Sequence, residues 1–125
     1  MLRDVGYWDA VIGQVVDAET GKPLAGMVVL AYDKDVIKDD YLGKTTTDKD
    51  GRFRIEFPQR AFQGAMALTE GAPDIYLKVT HPDGRHMKTK VRYDMEGDME
   101  PTSDQEKGGP DGEIEILDMG RVEFR

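Results

Sequence analysis

The stretch RFRIEF, residues 52–57, alternates charge and hydrophobe without a break. In an extended chain successive side chains point to opposite faces, so Phe53, Ile55 and Phe57 share one face and Arg52, Arg54 and Glu56 the other. A helix would scatter the same six residues around its axis. The segment therefore commits the chain to a sheet with one apolar face, and that face needs a second layer to cover it. The same alternation recurs in AVIGQVVD, GMVVLAYD, LGKTTT, DIYLKVTH and HMKTKVRY, with Ile75, Leu77 and Val79 on an inward face. EIEILDMGRVEF closes the series as one long strand, or as two interrupted near Asp118 to Gly120. The turn runs AETGKP, DKDG and PDGR punctuate these strands at about eight to twelve positions, the rhythm of an all-β sandwich or barrel. The expected fold is an all-β, Greek-key β-sandwich of seven or eight antiparallel strands in a single domain over residues 1–125. A short helix is expected near residues 59–70, where QRAFQGAMALTEG breaks the alternation.

A chain of 125 residues supports one core of ordinary size. It has no cysteine, so disulfides, thiolate chemistry and zinc–thiolate sites are excluded and burial alone must hold the fold. The net charge of −8 is concentrated: residues 94–113 carry eight acids against Lys107 alone, leaving the rest of the chain near neutral. That segment, rich in glycine and poor in apolar groups, reads as a flexible acidic loop inserted before the last strands. No basic stripe tracks phosphates, which argues against nucleic acid as a partner. No apolar run reaches the length of a membrane span and the first residues lack a signal-like core, so a cytoplasmic or mature exported domain without membrane insertion is expected.

At Gly13, Val15, Asp17, then Thr20, Gly21, Pro23, Leu24, Gly26, then Thr47, Asp48, Gly51, Phe53, the chain resembles the transthyretin-like (prealbumin-like) and carboxypeptidase regulatory-like sandwiches. The nematode-type transthyretin-like proteins are the nearest in motif, through Tyr32, Asp33, Asp35, Asp39, Asp40 and Gly43. The resemblance spans roughly residues 11–93 and 113–125. It implies the sandwich and, with less force, a non-enzymatic binding or protein-interaction module. Hydroxyisourate hydrolase shares such a fold but needs inner-strand histidines and a Tyr-Arg-Gly-Ser ending, where this chain ends GRVEFR. Intradiol dioxygenases share it too and hold iron with two tyrosines and two histidines. Here the only histidines flank a tight hairpin and no companion tyrosine motif accompanies them.

Candidate sites are few. Asp33, Asp35, Asp39 and Asp40 crowd one loop, and clustered carboxylates are the hard oxygen donors calcium takes. The loop is similar to the calcium loop of C2 domains, one residue shorter between its acidic pairs. The competing reading is a solvated loop neutralised by Lys34, Lys38, Lys44 and Lys49. A calcium-dependent domain for sugar or lipid head groups is thus the alternative function. Asp48, Asp50 and Gly51 fail the EF-hand pattern and read as a turn. His81 and His86 should lie near each other across PDGR, where they could bind a transition metal or serve as interaction residues, while the parity of His81 with the core positions suggests that it caps the core's end. Tyr7 and Trp8 are an aromatic pair that could dock on a protein, or, for Trp8, close the end of the sandwich. No nucleophile–base pair stands out, and Ser103, the only serine, falls in the acidic loop. On these grounds the chain is expected not to be an enzyme and to need no cofactor, with calcium as the exception. A protein or a small ligand is the expected partner, and edge strands offer a route to homo-oligomers.

Overall fold

A computed structural model describes residues 8–59, 72–102 and 112–125. Eight strands follow in chain order: β1 (Trp8–Asp17), β2 (Val28–Asp33), β3 (Asp40–Thr46), β4 (Arg52–Pro58), β5 (Ile75–Thr80), β6 (His86–Lys88), β7 (Asp98–Pro101) and β8 (Glu113–Phe124). They form two four-stranded sheets of order β4-β1-β8-β7 and β3-β2-β5-β6. The chain is an all-β sandwich. The helix expected near residues 59–70 lies, beyond Gln59, outside the described residues.

The alternation read from the sequence decides which faces meet. Phe53, Ile55 and Phe57 of β4 are buried against Val11 and Val15 of β1 and Leu117, Val122 and Phe124 of β8. Val29 and Ala31 of β2 and Ile75, Leu77 and Val79 of β5 close the same core from the other sheet. Each such side chain removed from water contributes on the order of 1.5–3 kcal/mol, so this layer is the main source of stability. A smaller apolar cluster, Ala10, Ile114 and Ile116 with Trp8 and Ile12 packed on it, forms a satellite to this core.

Two glycines show why the sequence folds here. Gly51 has φ of 75°, and a Cβ at that position would stand 2.4 Å from the Val15 carbonyl oxygen, so the turn into β4 admits glycine alone. Asp48 supports it, its Oδ1 accepting the N–H groups of Asp50 and Arg52 at 2.9 Å each. The aspartates of TTTDKDG are turn chemistry, as expected. Gly13 leaves the space that the Phe53 ring fills, since a Cβ there would lie 2.7 Å from it.

Two features depart from expectation. β1 runs antiparallel to β4 but parallel to β8, so the sandwich is not wholly antiparallel. Parallel neighbours demand a crossover, and here the intervening chain builds the second sheet before returning. Within the segment read as an acidic loop, Asp98–Pro101 pairs with β8 as an edge strand. All four of its residues are exposed. Main-chain hydrogen bonds hold it, and its acids discourage pairing with a further strand. β8 itself is one strand, with a register shift against β1 between Ile12 and Gln14. No helix among the described residues is long and apolar enough to cross a membrane.

Candidate functional site: a tyrosine row at one end of the sheet

On the outer face of β3-β2-β5-β6 the register lines up side chains in rows. Tyr41, Tyr32 and Tyr76 stand side by side on β3, β2 and β5. Between Ala31 and Tyr32 the pairing of β2 with β3 shifts, which turns Leu42 into the core and leaves Tyr41 outside. Tyr32 stacks on Tyr76 at 5.3 Å between ring centroids, nearly parallel, and meets Tyr41 tilted at 5.6 Å. Burial falls steeply along the row, from Tyr76 at 3% exposed to Tyr41 at 53%. The next row supplies cations: Lys78 Nζ sits 4.8 Å from the Tyr32 centroid and Lys88 Nζ 4.5 Å from that of Tyr76.

The Tyr76 hydroxyl donates to Asp39 Oδ2 at 2.5 Å. This short, charge-assisted bond joins the row to the aspartate loop. It holds the Asp39 carboxyl below its ordinary range, with help from the Asp35 N–H. Burial, together with the same bond, pushes the Tyr76 phenol up to about 12. Asp40 behaves oppositely: burial, then repulsion from Asp35 and Asp39, raises its carboxyl, and its Oδ2 is buried without a hydrogen-bond partner.

Of the four aspartates proposed as a calcium set, three are spent separately, while the Asp40 Oδ2 has no hydrogen-bond partner. Asp33 is buried and its Oδ1 accepts the Asp74 N–H at 2.8 Å, tying β2 to the start of β5. Asp35 accepts the Val36 N–H, and Asp39 the Asp35 N–H and the Tyr76 hydroxyl. Among the described residues no three acidic, histidine or cysteine side chains gather to hold a metal. Calcium is withdrawn on these grounds: the carboxylates of Asp33, Asp35 and Asp39 bond to backbone and phenol instead of converging with Asp40.

The histidines lie elsewhere. His86 pairs with Thr80, two rows beyond the tyrosines, and His81 follows further on. Four residues of strand separate Tyr76 from Thr80, about 13 Å at 3.3 Å per residue. His81 Nδ1 accepts the Asp83 N–H at 3.1 Å and its ring meets Phe124 at 5.8 Å, so it caps the core end, as its parity suggested. Trp8 is half-buried on the satellite cluster, and Tyr7 lies outside the described residues. The tyrosine row was missed in the sequence. Its signal was the outward parity of Tyr32 and Tyr76, readable only once β2 was known to pair with β5.

No family model matches the chain, and no curated protein does. Among solved structures it is similar to a 9R-lipoxygenase from Cyanothece, at 25% identity and TM-score 0.56, over 99% of this chain and 17% of that one. It is also similar to a catechol 1,2-dioxygenase from Pseudomonas arvilla (19%, TM-score 0.54, covering 97% and 53%). A hydroxyquinol 1,2-dioxygenase from Pseudomonas putida gives 17%, TM-score 0.51, 98% and 59%. The chain thus spans under two thirds of each of these proteins, and at such identity the dioxygenases share its fold.

These likenesses correct the transthyretin-like and carboxypeptidase regulatory-like assignment. The residues that suggested it, Gly21, Pro23, Gly51 and Phe53 among them, serve turn geometry and core packing in this chain. The inference from that resemblance to a non-enzymatic binding or interaction module falls with it. So do the expectations that the chain is not an enzyme and that it needs no cofactor or only calcium, because the solved structures it resembles are oxygenases. Among the described residues an iron set of two tyrosines and two histidines does not come together: the tyrosine row and the histidines occupy different ends of one sheet.

Proposed function

We propose that the chain is the sandwich domain of an oxygenase and that it seats a hydroxylated aromatic ring against Tyr41 and Tyr32. The observation that carries the reading is the tyrosine row itself, graded from buried Tyr76 to half-open Tyr41 and flanked by Lys78. An incoming ring extends the row by offset stacking, worth about 0.5–1.5 kcal/mol beyond the area it buries. An acidic ring hydroxyl finds its counter-charge at the lysine side of the row. Tyr76 and Asp39 keep the row rigid, so the ring meets a platform already ordered. The names of the similar structures, catechol and hydroxyquinol dioxygenases, support an aromatic diol as the substrate class. No residue of this chain is assigned the redox centre.

The test is a titration with catechol and with hydroxyquinol, followed by the ring resonances of the tyrosines, with oxygen uptake measured in parallel. Saturable shifts at Tyr32 and Tyr41, weakened about two- to tenfold by Tyr41→Ala, are expected. Tyrosine signals unmoved by millimolar diol, with no oxygen uptake when iron is supplied, would overturn the reading.

A further inference from the structure

Where the sandwich opens between β6 and β8, a groove of about 540 Å³ is lined by five cations, Lys88, Lys90, Arg92, Arg121 and Arg125, against one acid, Glu123. In a chain of net charge −8 this is a local reversal of sign. The floor is apolar: Met119 and Val122 are buried there and Met87 is half-buried.

The cations are only partly committed. Lys88 lies over the Tyr76 ring, Arg92 Nη1 donates to the Met119 carbonyl at 3.5 Å, and Arg125 stands 3.7 Å from Glu123. Lys90 and Arg121 have no acidic partner among the described residues. Like charges held around one concave surface repel, and an anion seated among them relieves that repulsion. Guanidinium groups on the β8 side match a carboxylate with paired N–H donors, which a lysine does not do. A bare inorganic anion would leave the methionine and valine floor wet, whereas an apolar chain would cover it.

We propose that this groove binds an amphipathic carboxylate, its head among Lys90, Arg92 and Arg121 and its apolar body on Met87, Met119 and Val122. The groove shares Lys88 with the flank of the tyrosine row, but neither its proposed head contacts nor its floor belongs to that row, and the inference does not depend on the oxygenase reading. The same head chemistry occurs in a free fatty carboxylate and in an anionic lipid surface, and the experiment separates the two.

Decanoate below its micelle concentration is titrated into the full chain by calorimetry, beside inorganic phosphate and beside vesicles containing phosphatidylserine. Saturable binding of decanoate, tighter than that of phosphate and weakened about tenfold by the double variant Lys90→Glu/Arg121→Glu, supports the proposal. Both positions are exposed on the groove rim, so the variant should keep its melting temperature. Lys49→Glu, in the distant turn before β4, should bind decanoate unchanged. Equal decanoate binding by wild type and the double variant would refute the site. Binding to vesicles or phosphate without binding to monomeric decanoate would refute its ligand.

Discussion

Removing the Tyr76 hydroxyl tests whether the tyrosine row and the aspartate loop act as one unit. In Tyr76→Phe the ring keeps its stack on Tyr32, while Asp39 Oδ2 loses its phenol donor and keeps the Asp35 N–H on Oδ1. A hydrogen bond to a charged group contributes about 1.5–3 kcal/mol when buried. Asp39 is only half-buried, so water screens it, and about 1 kcal/mol is expected, near 4 °C in melting temperature for a chain of this size. A double-mutant cycle with Asp39→Asn isolates the pair. The pH dependence has a defined sign at both ends. Asp39 is lowered on folding, so its share is present above the ordinary carboxyl pKa and lost as pH falls through the lower folded value. The Tyr76 phenol is raised to about 12, so its share is present below its ordinary value of 10.0 and lost as pH rises towards 12. The coupling should be flat between those limits. Absorbance at the tyrosinate band should show a phenol step near 12, and that step should vanish in Tyr76→Phe. A coupling below about 0.3 kcal/mol, within the scatter of independent sites, would refute the argument, as would survival of that step in the variant.

Asp40→Asn should raise stability at pH 7, because it removes a carboxyl whose burial disfavours its charge; the gain should fade as pH falls towards 3.8, where that carboxyl is protonated anyway. Thermal melts at the two pH values decide it. Gly51→Ala should cost about 1–3 kcal/mol in denaturant unfolding through positive φ and the approach to the Val15 oxygen, while Gly84→Ala, which has open space around it, should cost less. Thr47→Val should cost about 1–3 kcal/mol, since the buried Thr47 hydroxyl accepts the Met27 N–H and donates to the Leu24 carbonyl; unchanged chemical denaturation would count against this.

The sandwich was legible because alternation is a local signal. Phe53, Ile55 and Phe57, or Ile75, Leu77 and Val79, declare their shared face within six residues, and the structure buries all six. What escaped was everything set by pairing over distance. Tyr32 and Tyr76 lie far apart in sequence and become neighbours only through the β2–β5 register. The groove cations likewise come from two segments, Lys88 to Arg92 and Arg121 to Arg125, that belong to different sheets. The aspartate loop misled for a related reason. Spacing shows that carboxylates are near in chain, but their direction is set by backbone donors and by a phenol on another strand. The parity of His81, by contrast, gave its place at the core end without any pairing knowledge.

The parallel pairing of β1 with β8 has a consequence for how the chain comes to its fold. Trp8 meets Ile114 and Asp17 meets Phe124, so a central strand of the first sheet waits for partners synthesised about a hundred residues later. Until then only β4 can dock on β1, whose other edge, with Ala10 and Val11, lies open to any passing strand. Loop closure over that distance costs entropy before any contact rewards it, which predicts slow, late-committing folding. Chains cut before Glu113 should therefore aggregate and not merely unfold, because what they expose is a ready sheet edge.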